Sequence, residues 1–348
     1  MTDSDLILQH DVPLKHLNTM NLEAYADDFC VVKTQEDLFR ASQAYKQMVQ
    51  SGKRPHVFTL GEGSNTVFAA KNITSFIIKM EYKGVTTVKE TAEHVFVQCN
   101  AGEMFRDVVI KFCQNNLSGL ENLSAIYGTV GAAPVQNIGA YGQEVRNCIE
   151  SVRVFDISTG SFEDYTNSQC QFGYRNSVFK YQNGEKIIVS VVFRLNKEFK
   201  PILTYANLAN RVQSCGTQSF TPLFISDTVT KIRNEKLPDP KIMPNCGSFF
   251  KNPVVSMEEY GRLLQSYGDI PSYEDKDGVK ISAGWLIEKC GLKGVKLNGV
   301  GFHDKQALVL VNYNSNDAGT LLDFVKQTVQ TVSQKFGIEL IMEPHIVR

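Results

Sequence analysis

The chain lacks an excess of either charge: 36 Lys and Arg stand against 37 Asp and Glu, a net −1 over 348 residues. That balance excludes a general affinity for DNA, RNA or anionic membranes. An anionic ligand must be met by a few placed cations or by backbone N–H groups. C-x-x-C pairs are also missing. The eight cysteines (Cys30, Cys99, Cys113, Cys148, Cys170, Cys215, Cys246 and Cys290) are scattered, and the six histidines do not fall at zinc-ligand spacing beside them. No metal site is expected, and the thiols read as reduced core residues. No apolar run approaches the ~20 residues that span a bilayer. The start, Met1-Thr2-Asp3-Ser4-Asp5, has neither the cationic opening nor the apolar stretch of a signal peptide. A cytoplasmic protein without membrane or nucleic-acid partners is expected. Internal repeats and low-complexity tracts are absent too.

What is present describes a soluble globular protein, with 43% hydrophobic and 21% charged residues. Its length exceeds one ordinary core, so two or three domains are expected. Thr34 to Val49 predicts a helix: Thr34 can cap, Glu36 and Asp37 suit the first turn, and Leu38, Ala41, Tyr45 and Met48 mark one face. Strands are predicted at His56–Leu60, Ser75–Met80, His94–Gln98, Val152–Ile157 and Ile187–Leu195, with a helix at Phe105–Cys113. Lys236-Leu-Pro-Asp-Pro-Lys241 reads as a stiff linker. Beyond it, Ser256 with Glu259 opens a helix as a capping box. Ser282–Lys289 and Asp317–Phe336 read as further helices, and Ala307–Asn312 and Ile338–Met342 as strands.

Three segments point to chemistry. Gly61-Glu62-Gly63-Ser64-Asn65 follows a strand, as a dinucleotide fingerprint would. The third glycine is replaced by Thr66, however, and the following residues look extended rather than helical. A nest of backbone N–H groups remains open to the loop, as does a tight hairpin turn. Ile126 to Gly142 carries no charged residue. A loop that long and that apolar should be buried, either against a large planar ligand or at a domain interface. Asn245-Cys246-Gly247-Ser248-Phe249-Phe250-Lys251-Asn252-Pro253 sets one hydroxyl between a glycine and two aromatics. A glycine turn into a short aromatic strand explains the segment alone; its company with the other two suggests more.

Together these segments resemble the UDP-N-acetylenolpyruvoylglucosamine reductase family, flavoenzymes that make UDP-N-acetylmuramate for bacterial cell-wall synthesis. The resemblance runs from Leu17 to Val347. It includes Leu60-Gly-Glu-Gly-Ser-Asn65, Pro134-Val-Gln-Asn-Ile-Gly-Ala-Tyr-Gly142, Phe172-Gly-Tyr-Arg-Asn-Ser177, Lys236-Leu-Pro-Asp-Pro240, Gly247-Ser-Phe-Phe-Lys-Asn-Pro253, Ala283-Gly-Trp-Leu-Ile287 and Glu343-Pro344. Leu203-Thr-Tyr-Ala-Asn207 resembles the mobile tyrosine loop of the first of the family's two types. The resemblance implies an α+β fold: two FAD-binding subdomains of the vanillyl-alcohol-oxidase (PCMH) type, at 1–82 and 83–238, and a substrate-binding domain at 239–348. The terminal strand would return Glu343 to the active site.

The same resemblance implies the reaction and its residues. NADPH reduces FAD and leaves; UDP-N-acetylglucosamine enolpyruvate then accepts hydride at its methylene carbon and a proton at the neighbouring carbon. Ser248 matches the proton donor. Arg175 and Glu343 match the residues that polarise the carboxylate or enol, a role that for Glu343 implies a burial-raised pKa. FAD contacts are implied at Gly61, Gly63, Ser64, Asn65, Ile126, Gly128, Gly131, Ala132, Ala133, Gly139, Tyr141 and Ile188, with the pyrophosphate on loop N–H groups. Tyr205, Lys236, Asn252, Tyr273 and Lys280 match substrate contacts, and Tyr205 a lid residue. Cys246 is given no chemistry. Two departures are Asn176, where relatives also use aspartate, and an end at Arg348 soon after Glu343. A monomer is expected. The rival readings are a FAD-dependent oxidase of the same superfamily and a catalytically silent nucleotide-sugar-binding protein.

Overall fold

The computed structural model describes residues 8–181, 184–216 and 220–348; the acidic start Met1–Asp5 lies outside them. The chain divides into two compact units. The first comprises residues 1–12, 25–62 and 72–235. The second is assembled from residues 13–24, 63–71 and 236–348.

Two sheets build the first unit. In one, the strand Asn72–Met80 lies parallel to both Tyr25–Val32 and Val57–Leu60. The helix Gln35–Gln50 buries Leu38, Ala41, Tyr45 and Met48, one side chain per turn on a single stripe. It begins where Thr34 accepts the Asp37 N–H and Asp37 accepts that of Thr34, satisfying two donors that a helix start leaves open. The other sheet is antiparallel, in the order Ser161–Thr166, Ile149–Asp156, Lys186–Asn196, His94–Asn100, Val85–Glu90. The helix Phe105–Gln114 follows its His94–Asn100 strand. One continuous apolar core runs under both sheets, from Cys30 and Phe76 to Phe155 and Phe193. A smaller cluster of Leu208, Val212, Ile225, Val229 and Ile232 joins the helices Ala206–Ser214 and Pro222–Lys236.

The second unit has its own core around Phe249, Phe250, Leu286, Phe302 and Leu321. A four-stranded sheet runs Asn245–Ser248, Val309–Asn312, Val300–Phe302, Lys296–Leu297. Beside it in sequence is a three-stranded sheet of Val254–Val255, Gly278–Ile281 and Ser272–Asp275. The helix Met257–Tyr267 opens with the Ser256–Glu259 capping box, Ala283–Lys289 with the Ser282 hydroxyl and Ala318–Phe336 with the Asp317 carboxylate. The strand His345–Val347 pairs in parallel with Thr66–Phe68, an excursion from early in the chain.

Two local expectations change. Ile338–Met342 is not a regular strand: only Met342 bridges, to Phe250, and the terminal strand is His345–Val347. The segment alternates buried Ile338 and Leu340 with a 62%-exposed Ile341. That period suits a strand, but Pro344 has no N–H with which to continue the ladder. Lys236–Lys241, expected as a stiff linker, is a bonded turn. Lys236 ends a helix, and Asp239 accepts from Lys241 N through its carboxylate and from Ile242 N and Met243 N through its carbonyl. The turn residue outweighs the prolines because its bonds close locally. Thr34→Ala is expected to lower stability by about 1 kcal/mol, measured by urea unfolding, with activity unchanged.

Candidate active site

In the second unit the Ser248 segment is shaped by a bulge. Register slips between the Asn245–Val311 and Ser248–Val309 pairs, and Gly247 takes φ +77°, a left-handed conformation that favours glycine. The Asn245 side chain clamps the bend: its amide donates to the Pro238 and Met243 carbonyls, and its Oδ1 accepts the Gly247 N–H at 2.9 Å. Phe249 and Phe250 are fully buried and meet edge-on at 5.5 Å, anchoring the chain directly after a half-buried Ser248.

The chain end is bonded to the same strand. Glu343 N–H donates to the Phe249 carbonyl at 2.9 Å, and Lys251 N–H to that of Ile341 at 2.9 Å. Glu343, itself half-buried, is thereby held one residue from Ser248 across the pairing. Burial pushes the Cys246 thiol far above its usual range, and the Glu343 charge adds to that shift. Asn252 Oδ1 accepts the Ala283 N–H at 3.0 Å and so ties the aromatic strand to the start of the helix Ala283–Lys289. Tyr273, 51% exposed, lies directly opposite Lys280 in the hairpin. Lys280 pairs with Asp275 at 2.8 Å, and that hydrogen bond holds the Asp275 carboxyl below its ordinary range. Lys236 is exposed at the end of its helix, where a cation suits the dipole.

In the first unit Arg175 sits in a tight turn with φ +50°. Gly173 and Asn176 exchange backbone hydrogen bonds of 3.0 and 3.2 Å around it. A non-glycine residue in this region costs on the order of 1 kcal/mol, and such strain clusters at functional sites. The turn is docked on the uncharged loop. Asn137 Nδ2 donates to Gly173 O, Ser177 Oγ to Val135 O, and Arg175 Nη2 to Gly139 O at 3.1 Å. A Cβ at Gly139 would lie 3.0 Å from Glu144 Cγ and 3.1 Å from Gln143 O, so the bare backbone lets the facing strand of this small hairpin approach.

The two glycine loops can be tested for cofactor fit. A Cβ on Gly61 would lie 2.6 Å from Thr129 Oγ1, and one on Gly131 2.7 Å from Ala101 Cβ, so the chains approach too closely for side chains. In the later loop Gly128 N–H donates to Glu62, Val130 N–H to Glu103 O, Gly131 N–H to Ala101 O, Ala132 N–H to Thr129 O and Ala133 N–H to Val130 O. These N–H groups, expected as candidate pyrophosphate donors, have protein partners in this structure. In the earlier loop it is the carbonyls that are anchored: Gly61 O by Lys79 Nζ, Gly63 O by Thr19, Asn65 O by His345 N. Gly63 takes φ +70°, and Ser64 and Asn65 are half-buried. Ile126 is half-buried, and Ile188 is buried within its strand. Among the described residues no His, Cys, Asp and Glu cluster suits a metal.

Sequence reasoning missed a network around Tyr141. This residue has φ +50°, and its ring meets Tyr205 edge-on at 5.3 Å. Its carbonyl accepts from Asn122 Nδ2, which also donates to Ile202 O. Its hydroxyl is bonded to Arg233, whose pKa is lowered by burial against the opposing pull of Tyr141 and Tyr127. The only sequence signal was an arginine three residues before Lys236.

A family model described as FAD binding domain matches residues 30–165. Both glycine loops fall inside it, and the class is therefore a FAD-dependent oxidoreductase with an added C-terminal domain. A second model, UDP-N-acetylenolpyruvoylglucosamine reductase, C-terminal domain, matches residues 239–347. The UDP-N-acetylenolpyruvoylglucosamine reductase of Neisseria gonorrhoeae is 43% identical over 97% of both chains, and that of Pseudoalteromonas translucida 39% identical over 96% of this chain and 95% of its own. The crystal structure of the Thermus caldophilus enzyme shares the fold, with a TM-score of 0.67 at 23% identity over 98% of this chain and 100% of its own. The chain belongs to the UDP-N-acetylenolpyruvoylglucosamine reductase family, whose FAD-dependent activity serves peptidoglycan synthesis.

The Asp275–Lys280 pair generates a pH test. The Asp275 pKa is depressed, so its contribution to stability is full above the unfolded value and is lost as pH falls through the folded one. Asp275→Asn is expected to be less stable than the parent at pH 7, with the gap in urea midpoints closing in acid below about pH 4.

Proposed function

We propose that the chain reduces UDP-N-acetylglucosamine enolpyruvate to UDP-N-acetylmuramate with NADPH as co-substrate, acting as a cytoplasmic monomer. The observation that supports this best is the bulged Gly247–Ser248 turn with Glu343 bonded beside it. FAD, when bound, relays hydride from the nicotinamide to the enolpyruvyl methylene carbon. Every other task falls to the protein.

Ser248 donates the proton to the carbon next to the carboxylate. A serine hydroxyl is a weak acid, but its acceptor is carbanion-like, so transfer runs downhill when the geometry is fixed. The Asn245 clamp and the buried Phe249–Phe250 pair provide that fixing. Arg175 grips the substrate carboxylate and favours the charge that grows beside it. The strained turn and its docking on Gly139 limit the guanidinium's freedom before substrate arrives. Glu343 polarises the carboxylate or enol and is at least partly protonated during turnover.

Lys236 and Lys280 offset diphosphate charge, and Asn252 and Tyr273 contact the nucleotide sugar. Tyr205 closes as a lid over the substrate. Tyr141 is its rest in this structure, through the edge-on ring contact. The residues at Gly61–Asn65, Ile126–Ala133, Gly139, Tyr141 and Ile188 hold FAD. Of these, the 61–65 segment, with its carbonyls anchored, supplies the N–H groups for the pyrophosphate.

Stopped-flow absorbance separates the two half-reactions. Ser248→Ala should leave bleaching of the flavin by NADPH nearly intact and slow its recovery with the enolpyruvyl sugar by about 10²–10⁴-fold. Equal slowing of both halves would remove Ser248 as proton donor. Arg175→Lys should slow recovery as well, because one ammonium cannot reproduce the guanidinium fork; a parental rate would take Arg175 off the catalytic list.

A further inference from the structure

Glu62 sets a problem that the family reading leaves open. It places a carboxylate among the glycines of a loop expected to receive a diphosphate, where a negative charge repels the ligand. The structure shows how that charge is used. Glu62 Oε2 accepts the Gly128 N–H at 2.6 Å, linking the first glycine loop to the second. Arg106 Nη1 donates to both carboxylate oxygens at 2.8 Å each. The guanidinium also lies over the Tyr127 ring at 4.8 Å, beside Gly128. Gly128 in turn accepts the Phe105 N–H through its carbonyl and adopts φ +121°, which a side chain would strain. The two charged side chains are only 17% and 25% exposed.

The position of Arg106 is a second, independent sign. It is the second residue of the helix Phe105–Gln114, where the helix dipole disfavours a cation by about 0.3–1 kcal/mol. A local rule broken in this way is expected where function compensates. Lys79, bonded to Gly61 O, adds a further half-buried cation at the same loop. Burial lowers its pKa, and the charges of Glu81 and Glu62 oppose the shift.

We propose that Glu62 and Arg106 are positioning residues for FAD: the carboxylate braces one glycine loop against the other, and Arg106 aims it while cancelling its repulsion of the diphosphate. The proposal rests on the reading that these loops hold FAD. In Arg106→Met the carboxylate stays and its neutralising partner goes. FAD release from the holoenzyme, followed by flavin fluorescence on dilution, should quicken about tenfold at low ionic strength and less at 1 M salt, where charges are screened. The Arg106→Met/Glu62→Gln double variant should recover at least a third of that loss on a logarithmic scale, because the repelling charge is gone. A parental release rate in Arg106→Met, or a double variant that releases FAD as fast as the single, overturns the proposal. Gly61→Ala separates the two ideas, since its Cβ would press on Thr129. If it quickens release while Arg106→Met does not, the loops hold FAD and the brace is wrong. If neither variant changes release, the loop reading falls and the brace with it.

Discussion

The pairing of the chain's last residues with the segment that follows Ser248 is the constraint on which the second unit's candidate site depends. Lys251 N–H to Ile341 O, Glu343 N–H to Phe249 O and His345 N–H to Asn65 O are each 2.9 Å long. Through them the terminus is sewn first to the aromatic strand and then, in parallel, to Thr66–Phe68. The interruption at Pro344 falls between these two pairings and keeps either from growing into a long strand. A carboxylate near the end of a chain would ordinarily fray into solvent. Here it is held by main-chain bonds that do not depend on its own side chain.

The first unit solves a different problem. A long uncharged loop must bury its backbone without leaving polar groups unsatisfied. It does so by folding on itself and on neighbours, with Val130, Gly131, Ala132 and Ala133 all bonded at their N–H groups. Left-handed conformations at Ala125, Asn137 and Tyr141 let the chain turn tightly enough. Asn137 then carries the loop's rigidity to the Arg175 turn, and Asn122 carries it to Ile202 and the approach to Tyr205. A fully buried amide making two donor bonds is costly to remove, because each abandoned carbonyl would remain desolvated.

Much of the element order was legible. The Gln35–Gln50 helix, its Thr34 cap, the Ser256–Glu259 box and the strands Lys186–Asn196 and His94–Asn100 all follow from periodicity and capping chemistry, which are local. The helix Pro222–Lys236 and the hairpin Ser272–Asp275 with Gly278–Ile281 went unassigned, although Ile225, Val229 and Ile232 recur at helical spacing and Val279 and Ile281 alternate. Ile338–Met342 had the alternation of a strand, but its pairing with Phe249–Lys251 is a single bridge that Pro344 keeps from growing. The residues that the resemblance matches at Ser248, Arg175 and Glu343 could be picked out because each lies within a contiguous motif. Glu62, Arg106, Asn122 and Arg233 were not, because their roles come from partners 19 to 108 residues away.

Residue order alone therefore settled what short-range physics can encode: where helices start, which side chains form a stripe, which turns require glycine, and which motifs mark a flavin-dependent reductase. Folding decided the rest. Only pairing across the chain shows that a terminal carboxylate is bonded next to a bulged serine, that a carboxylate among glycines belongs to an arginine, and that the N–H groups of one loop already have partners. Hydrogen bonds and ion pairs between distant residues leave no period in a sequence, because their spacing is set by the packed core rather than by the repeat of a helix or strand.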